Sequence, residues 1–148
     1  MENVPHTDRD GALEMMQRLG DAFAGGLASS LSEHLGAAVR ISALGAEQLP
    51  YHHFLLALEP ATCLAVLRVD PPGAQACVDI PLQVMRPMVA QLLGGVGSTA
   101  PGAAMTDLER GMALQIVNRI AAQLVQSAWR VAGVELGVHE ESLESSPQ

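Results

Sequence analysis

The chain has no lysine, and only 16% of its 148 residues are charged. Its 16 acidic residues outnumber eight basic ones, all of them arginine, so the formal net charge is −8. Typical domains carry about 25% charged residues, which means that much of this surface is weakly charged. The acidic balance opposes attraction to phosphate backbones, and we expect no nucleic-acid partner.

Long apolar runs and targeting signals are also missing. Residues 1–10 lack the apolar core of a signal peptide. The long uncharged stretch 87–106 is interrupted by proline, glycine, serine and threonine, so it does not read as a transmembrane span. We therefore expect a cytosolic protein without a transmembrane segment.

Few residues could ligate a metal or act as a nucleophile. His52 and His53 are adjacent and so diverge, and no set of three or four ligands converges elsewhere. Cys63 and Cys77 fall in two segments predicted to form a hairpin, three residues out of register, or about 10 Å along the strands. We expect two buried, reduced thiols, no metal site and no cofactor.

Apolar spacing predicts a long first helix and several strands. The helix opens at Leu13 and stops at Gly36, with close packing expected at Gly25 and Gly26. The residues predicted on its buried face are Met16, Leu19, Phe23, Leu27, Leu31 and Leu35. Strands are predicted at 39–44, 62–69, 75–80 and 134–138. The connector 48–58, which holds half of the four aromatic residues, is predicted to fill the core.

Two further helices are predicted in the second half. Pro81 begins the first of them, which is kinked at Pro87 and ends at Gly94 and Gly95. The second begins with a capping box, because Thr106 is followed three residues later by Glu109. Its predicted apolar stripe is Leu108, Met112, Ile116, Ile120 and Leu124, with Trp129 buried near its end.

Five short blocks follow one another at defined spacing. They are QLPYHHFL at 48–55, PATCLAV at 60–66, LLGGVG at 92–97, MTDLER at 105–110, and AW at 128–129 with SPQ at 146–148. Together these blocks resemble the middle domain of the flagellar motor switch protein FliM family, from about Leu13 to the end of the chain.

The resemblance implies an α/β fold of the α+β type, CheC-like, in which long helices pack on a largely antiparallel sheet. It also implies a non-enzymatic role in the flagellar motor switch, the C-ring, and in control of rotation direction. The implied partners are FliG, FliN and neighbouring FliM copies. The implied location is cytoplasmic, peripheral to the inner membrane at the flagellar basal body.

The sequence also departs from the family pattern. The peptide that captures phosphorylated CheY is not recognisable in residues 1–11, so CheY stays an open partner. The FliN-like domain is missing, and the sequence stops where the family continues into further strands. We expect a flexible segment at 1–11 and one CheC-like domain at 12–148, incomplete at its C-terminal end, from either a fragment or a truncated relative.

The resemblance assigns the FliG contact to Gly94, Gly95, Val96 and Gly97, which we call the contact turn. Glycine residues let two backbones approach closely, and the uncharged residues that follow them lose little free energy on desolvation. The alternative is a plain helix-ending turn, because glycine supplies positive φ there.

A CheC-type phosphatase acting on phosphorylated CheY is the alternative function. Such enzymes carry an acidic residue and, three positions later, an asparagine on one helical face. Gln115 and Asn118 have an amide in place of the acid, whereas Glu14 and Gln17 have a longer amide in place of asparagine. Neither pair matches, and Gln115 and Asn118 are predicted to form a solvated or interfacial face.

Overall fold

The computed structural model describes residues 6–71, 73–95 and 104–146. Within them the chain forms four helices and three strands. In chain order these are α1 (His6–Leu35), α2 (Tyr51–Leu56), β1 (Thr62–Asp70), β2 (Ala74–Pro81), α3 (Leu82–Leu92), α4 (Asp107–Ala132) and β3 (Gly137–Ser146).

The three strands form one antiparallel sheet in the order β2-β1-β3. In the β1–β2 hairpin Cys63 pairs with Ile80 and Val66 with Cys77, which is the predicted register. The β1–β3 ladder shifts register between Val66 and Leu67. Both thiols are free, as predicted, although only Cys63 is fully buried.

The core lies between one face of the sheet and the helices. Cys63, Ala65 and Leu67 alternate along β1 and are almost completely buried. Met85 of α3 and Ile116 of α4 pack over them, and α1 packs in turn on α4 and α3. The prediction of long helices on an antiparallel sheet is confirmed. None of the helices in the described part of the chain is long and apolar enough to cross a membrane.

The strand predicted at 39–44 is wrong. Residues 38–50 are neither helical nor part of a strand. Val39 donates its backbone N–H to Ser32 Oγ at 2.9 Å, and Val39 and Ile41 pack against the core. The alternation of apolar residues therefore reflects a segment that has one side against the core. It does not reflect a strand that pairs with a neighbouring strand.

The prediction that 48–58 fills the core is also wrong. This segment contains α2, in which no residue is buried. Tyr51 is 66% exposed and Leu56 is 83% exposed. A helix of six residues makes fewer than two turns, and its apolar residues point in several directions, so it cannot direct them all to one neighbour.

α1 begins earlier than the apolar pattern predicts. The helix starts at His6, so residues 6–11 are helical although the sequence assigned them to a flexible segment. The polar residues of this first part carry no apolar periodicity, which explains why the pattern began only at Leu13. The division of the chain into 1–11 and 12–148 remains a prediction.

α3 is one helix, with Pro81 as its N-cap and Pro87 inside it. The sequence placed Pro81 one position later, in the first turn. Leu82, Met85 and Val89 are buried on one side of this helix. Packing of that side on the sheet compensates for the backbone hydrogen bond that Pro87 cannot donate.

The last strand was predicted too early. Val134 to Leu136 lie outside any strand, whereas β3 runs from Gly137 to Ser146. Three glutamates within β3 interrupt the apolar alternation that would have revealed the rest of it. α4 ends before this strand at Gly133, which caps it in the left-handed conformation, with φ 64°.

The predicted burial of Trp129 is wrong, because its side chain is 64% exposed. At 3.6 residues per turn, position 129 lies about half a turn away from Ile120, which faces the core. Ser127 and Ala128 occupy the buried side of α4 at this level. Leu108, at the other end of the predicted stripe, is exposed as well.

Candidate functional site

The contact turn directly follows α3. Gly94 and Gly95 have φ of 77° and 82°, in the left-handed region that favours glycine. The Gly95 N–H donates to the Ala90 carbonyl at 2.7 Å, and the Gly94 N–H donates to the Gln91 carbonyl at 3.2 Å. Both residues therefore end α3, as the sequence predicts. Val96 and Gly97 lie outside the described residues.

Gly94 and Gly95 also present bare backbone to solvent. Both are exposed, and a Cβ added to either would meet no atom within 4 Å. Space is thus available for an approaching chain, while the backbone conformation still requires glycine. The helix-ending role is confirmed, and the role in partner contact stays a prediction.

Hydrogen bonds define the end of α3 and the start of α4, the two helices on either side of residues 93–106 in the sequence. On the α3 side, Gln91 Nε2 donates to the Leu35 carbonyl at the end of α1, at 3.4 Å. On the α4 side, the Glu109 N–H donates to Thr106 Oγ1 at 3.1 Å, and the Thr106 N–H donates to Glu109 Oε2 at 3.0 Å. The predicted capping box is confirmed, and α4 begins at a defined point.

Gln115 and Asn118 lie on α4 and are exposed, as predicted for a solvated face. They line a groove between α1 and α4 of about 840 Å³, which we call the polar groove. Glu14 and Gln17 are exposed on α1 outside its lining, so the structure does not bring the two pairs together. No acid precedes Asn118 by three positions, which does not favour the phosphatase alternative.

Sequence reasoning missed the polar groove as a feature. Its α4 side carries Gln115, Arg119, Gln123, Gln126 and Arg130. Spacings of three and four place these residues on one helical face, a polar stripe beside the apolar one. This stripe is visible in the sequence, whereas the groove that it forms with α1 is not.

Gly26 shows why α1 carries two adjacent glycines. A Cβ at Gly26 would overlap the side-chain amide of Gln123 on α4, whereas a Cβ at Gly25 would meet nothing within 4 Å. The close packing predicted for this pair is therefore confirmed at Gly26 only.

Cys63 is the one group of the described residues whose titration is clearly perturbed. Burial raises the pKa of its thiol, Arg110 partly opposes the rise, and Asp79 adds to it. A thiol held in its protonated form is a poor nucleophile. The site therefore offers a backbone turn and a polar groove, with Cys63 as part of the core.

Comparison with solved structures defines the class of protein first. One chain in the crystal structure titled FliG-FliM complex from H. pylori matches with a TM-score of 0.83 and 26% identity, over 97% of this chain and 76% of that chain. The helical layer on an antiparallel sheet is thus a fold that this chain shares with a chain from a flagellar switch complex.

The sequence comparison specifies the family. The family model named Flagellar motor switch protein FliM matches residues 10–148, and the chain belongs to this family. FliM proteins of Treponema pallidum and Borreliella burgdorferi are 26% and 28% identical over 129 and 130 residues, which is 86% of this chain in each case. The chain spans 37% and 36% of the length of these two relatives.

Proposed function

We propose that this chain is a structural and interaction component of the flagellar motor switch, and that it contacts FliG through Gly94, Gly95, Val96 and Gly97. Membership of the FliM family supports the assignment. The observation that carries it is the match to a chain crystallised in a FliG–FliM complex, which extends over nearly all of this chain.

The geometry of the described half of the contact turn agrees with such a role. Gly94 and Gly95 expose their backbone, and nothing in the described structure covers them. The end of α3 that precedes them is tied to α1 by the hydrogen bond from Gln91 Nε2 to the Leu35 carbonyl. Gly94 and Gly95 themselves donate to carbonyls of α3, so their backbone would reach a partner with its N–H groups already satisfied.

The remaining parts of the proposal come from the family. They are the link from FliG to the FliN ring, contact with neighbouring FliM copies, control of rotation direction, and a position at the cytoplasmic side of the inner membrane at the basal body. Phosphorylated CheY is a further candidate partner. The role is non-enzymatic, and the residues at 115 and 118 support no phosphatase.

The test compares two glycine-to-arginine variants for FliG binding by isothermal titration calorimetry. Gly97→Arg places a charge within the contact turn, where burial against a partner leaves it unpaired. Gly11→Arg is the matched control, because Gly11 is exposed on α1 and a Cβ there meets nothing within 4 Å. We expect Gly97→Arg to lower the affinity for FliG about a hundredfold or more.

Circular dichroism melting of both variants completes the test, because a loss of affinity counts only in a variant that remains folded. At the exposed position 11, the substitution should change stability by less than about 0.5 kcal/mol. Gly11→Arg should bind FliG like the unmodified chain. A folded Gly97→Arg variant with unchanged FliG affinity would show that the contact lies elsewhere.

A further inference from the structure

The polar groove lies at the seam between α1 and α4, two helices that pack on each other over much of their length. Most interhelical seams are filled by apolar side chains, but this one is lined by hydroxyl, amide and charged groups. From α1 come Ala22, Gly26, Ser29, Ser30, Glu33 and His34, facing the polar stripe of α4. Its volume of about 840 Å³ falls within the range of pockets that bind ligands, about 300–1,000 Å³.

The charges of the groove differ in sign from those of the whole chain. Arg119 and Arg130 line it together with a single carboxylate, that of Glu33, although the chain carries a net charge of −8. Arg119 is half-buried, and its Nη1 donates to the neutral Ser30 hydroxyl at 3.3 Å. Neither arginine forms an ion pair with any residue that the structure describes. The groove therefore offers two guanidinium groups to an outside anion.

His34 adds an unsatisfied polar atom to the same place. Its Nε2 is buried and has no hydrogen-bond partner among the described residues. It lies one helical turn beyond Ser30, which holds the Arg119 guanidinium. A ligand in the groove would therefore meet the two arginines and not this buried atom.

The spacing of the two arginines defines the shape of a ligand. They are eleven residues apart on α4, or about 16 Å at 1.5 Å per residue. An extended peptide rises about 3.3 Å per residue and its side chains alternate between two faces, so residues on the same face are two, four or six apart. Separations of four and six residues, about 13 and 20 Å, bracket the distance between the arginines. Between the arginines lie Gln123 and Gln126, whose amides can donate to carbonyl oxygens and accept from N–H groups of a peptide backbone.

We propose that the polar groove binds an extended acidic peptide segment, with two carboxylates on one face of the peptide, four or six residues apart, that pair with Arg119 and Arg130. This site lies between α1 and α4 and is separate from the contact turn. It goes beyond the proposed FliG contact and does not depend on it.

The test uses the full 148-residue chain and fluorescence anisotropy with the labelled peptides GSETSSESSG and GSETSSTSESG, whose glutamates are four and six residues apart. The comparison peptides replace both glutamates by glutamine or move them to a spacing of two residues, which is too short, or five residues, which places them on opposite faces. We expect saturable binding of at least one of the first two peptides, weaker binding at the other spacings, and none of the glutamine peptides.

Two variants and one control locate the binding. Arg119→Gln removes a half-buried, charge-assisted contact and should weaken binding about tenfold. Arg130→Gln removes an exposed one and should weaken binding about two- to fivefold. Arg18→Gln, on an exposed part of α1 outside the groove, should leave binding unchanged.

Several results would overturn the proposal. They are equal binding of the glutamate and glutamine peptides, no preference for spacings of four or six over two and five, and equal loss of affinity in Arg18→Gln and Arg119→Gln. Displacement of the peptide by equimolar inorganic phosphate would identify a simple anion site instead. The peptide series on the unmodified chain decides the matter even if Arg119→Gln fails to fold.

Discussion

Thr106 and Glu109 show how two side chains define the start of a helix of 26 residues. The first four N–H groups of a helix have no partner within it, and this pair satisfies one of them together with the N–H of the cap residue itself. Glu109 is also buried, so its carboxylate is held where it can reach back. A local four-residue pattern was enough to predict this arrangement, because each contact spans only three positions.

Replacement of the cap tests this account. Thr106→Ala removes the hydroxyl that accepts from the Glu109 N–H and should lower the free energy of unfolding by about 1 kcal/mol. Thr106→Ser retains the hydroxyl and serves as the control, with stability close to that of the unmodified chain. Urea denaturation measures both, and equal stability of the two variants would contradict the role of the cap.

Trp129 is the only tryptophan, so its fluorescence reports one site. Because the side chain is 64% exposed, we expect emission at the wavelength of free indole in water and efficient quenching by acrylamide. Emission shifted well to the blue, with weak quenching, would instead show that the side chain is buried, as the sequence predicted.

Cys63 makes stability depend on pH in a defined direction. Since burial raises the pKa of its thiol, the folded state keeps the proton above the ordinary pKa of about 8.5, where the unfolded state loses it. The free energy of unfolding should therefore fall as the pH rises from about 8 toward the raised pKa. Denaturation of the chain and of Cys63→Ala at pH 7 to 10 measures the difference, and parallel pH profiles would be the contrary result.

α1 shows what an apolar pattern predicts about a whole element. The stripe was correct in its C-terminal half, where Leu27, Leu31 and Leu35 are buried. Phe23 packs only partly buried against this core, and Leu19 is half-buried outside it. The pattern gives the face of a helix, but the extent of the surface that covers this face depends on distant segments such as α3 and α4.

The two halves of α1 should therefore respond differently to truncation. Leu31→Ala removes a side chain that is 3% exposed and should cost about 2–5 kcal/mol of stability. Met16→Ala removes one that is 52% exposed and should change stability by less than about 0.5 kcal/mol. Similar losses for both in thermal denaturation would show that the N-terminal half is packed as tightly as the C-terminal half.

The strands separate what local sequence can predict from what it cannot. The β1–β2 hairpin was predicted down to its register, because a turn at 70–73 fixes which residues face each other. β3 pairs with β1 from far along the chain, and three glutamates interrupt its apolar residues, so neither a turn nor apolar alternation marked its extent. Segment 39–44 has the apolar alternation of a strand but is not paired with a neighbouring strand.

At the scale of the whole molecule, α3 packs on the sheet and ends in two exposed glycines, Gly94 and Gly95. The fold and the family could be inferred from five short blocks of sequence. The polar groove could not, because it arises only where α1 and α4 meet, with Gly26 close to Gln123. The two surfaces lie on different parts of the chain and can be examined separately.

Hydrogen–deuterium exchange of the chain with and without FliG tests the central claim most directly, because it locates the contact without any substitution. The account predicts slower exchange in peptides that cover residues 92–97, and unchanged exchange in peptides from α1 that line the polar groove. Unchanged exchange at 92–97 under saturating FliG, or slower exchange confined to other segments, would contradict the assignment of the FliG contact to this turn.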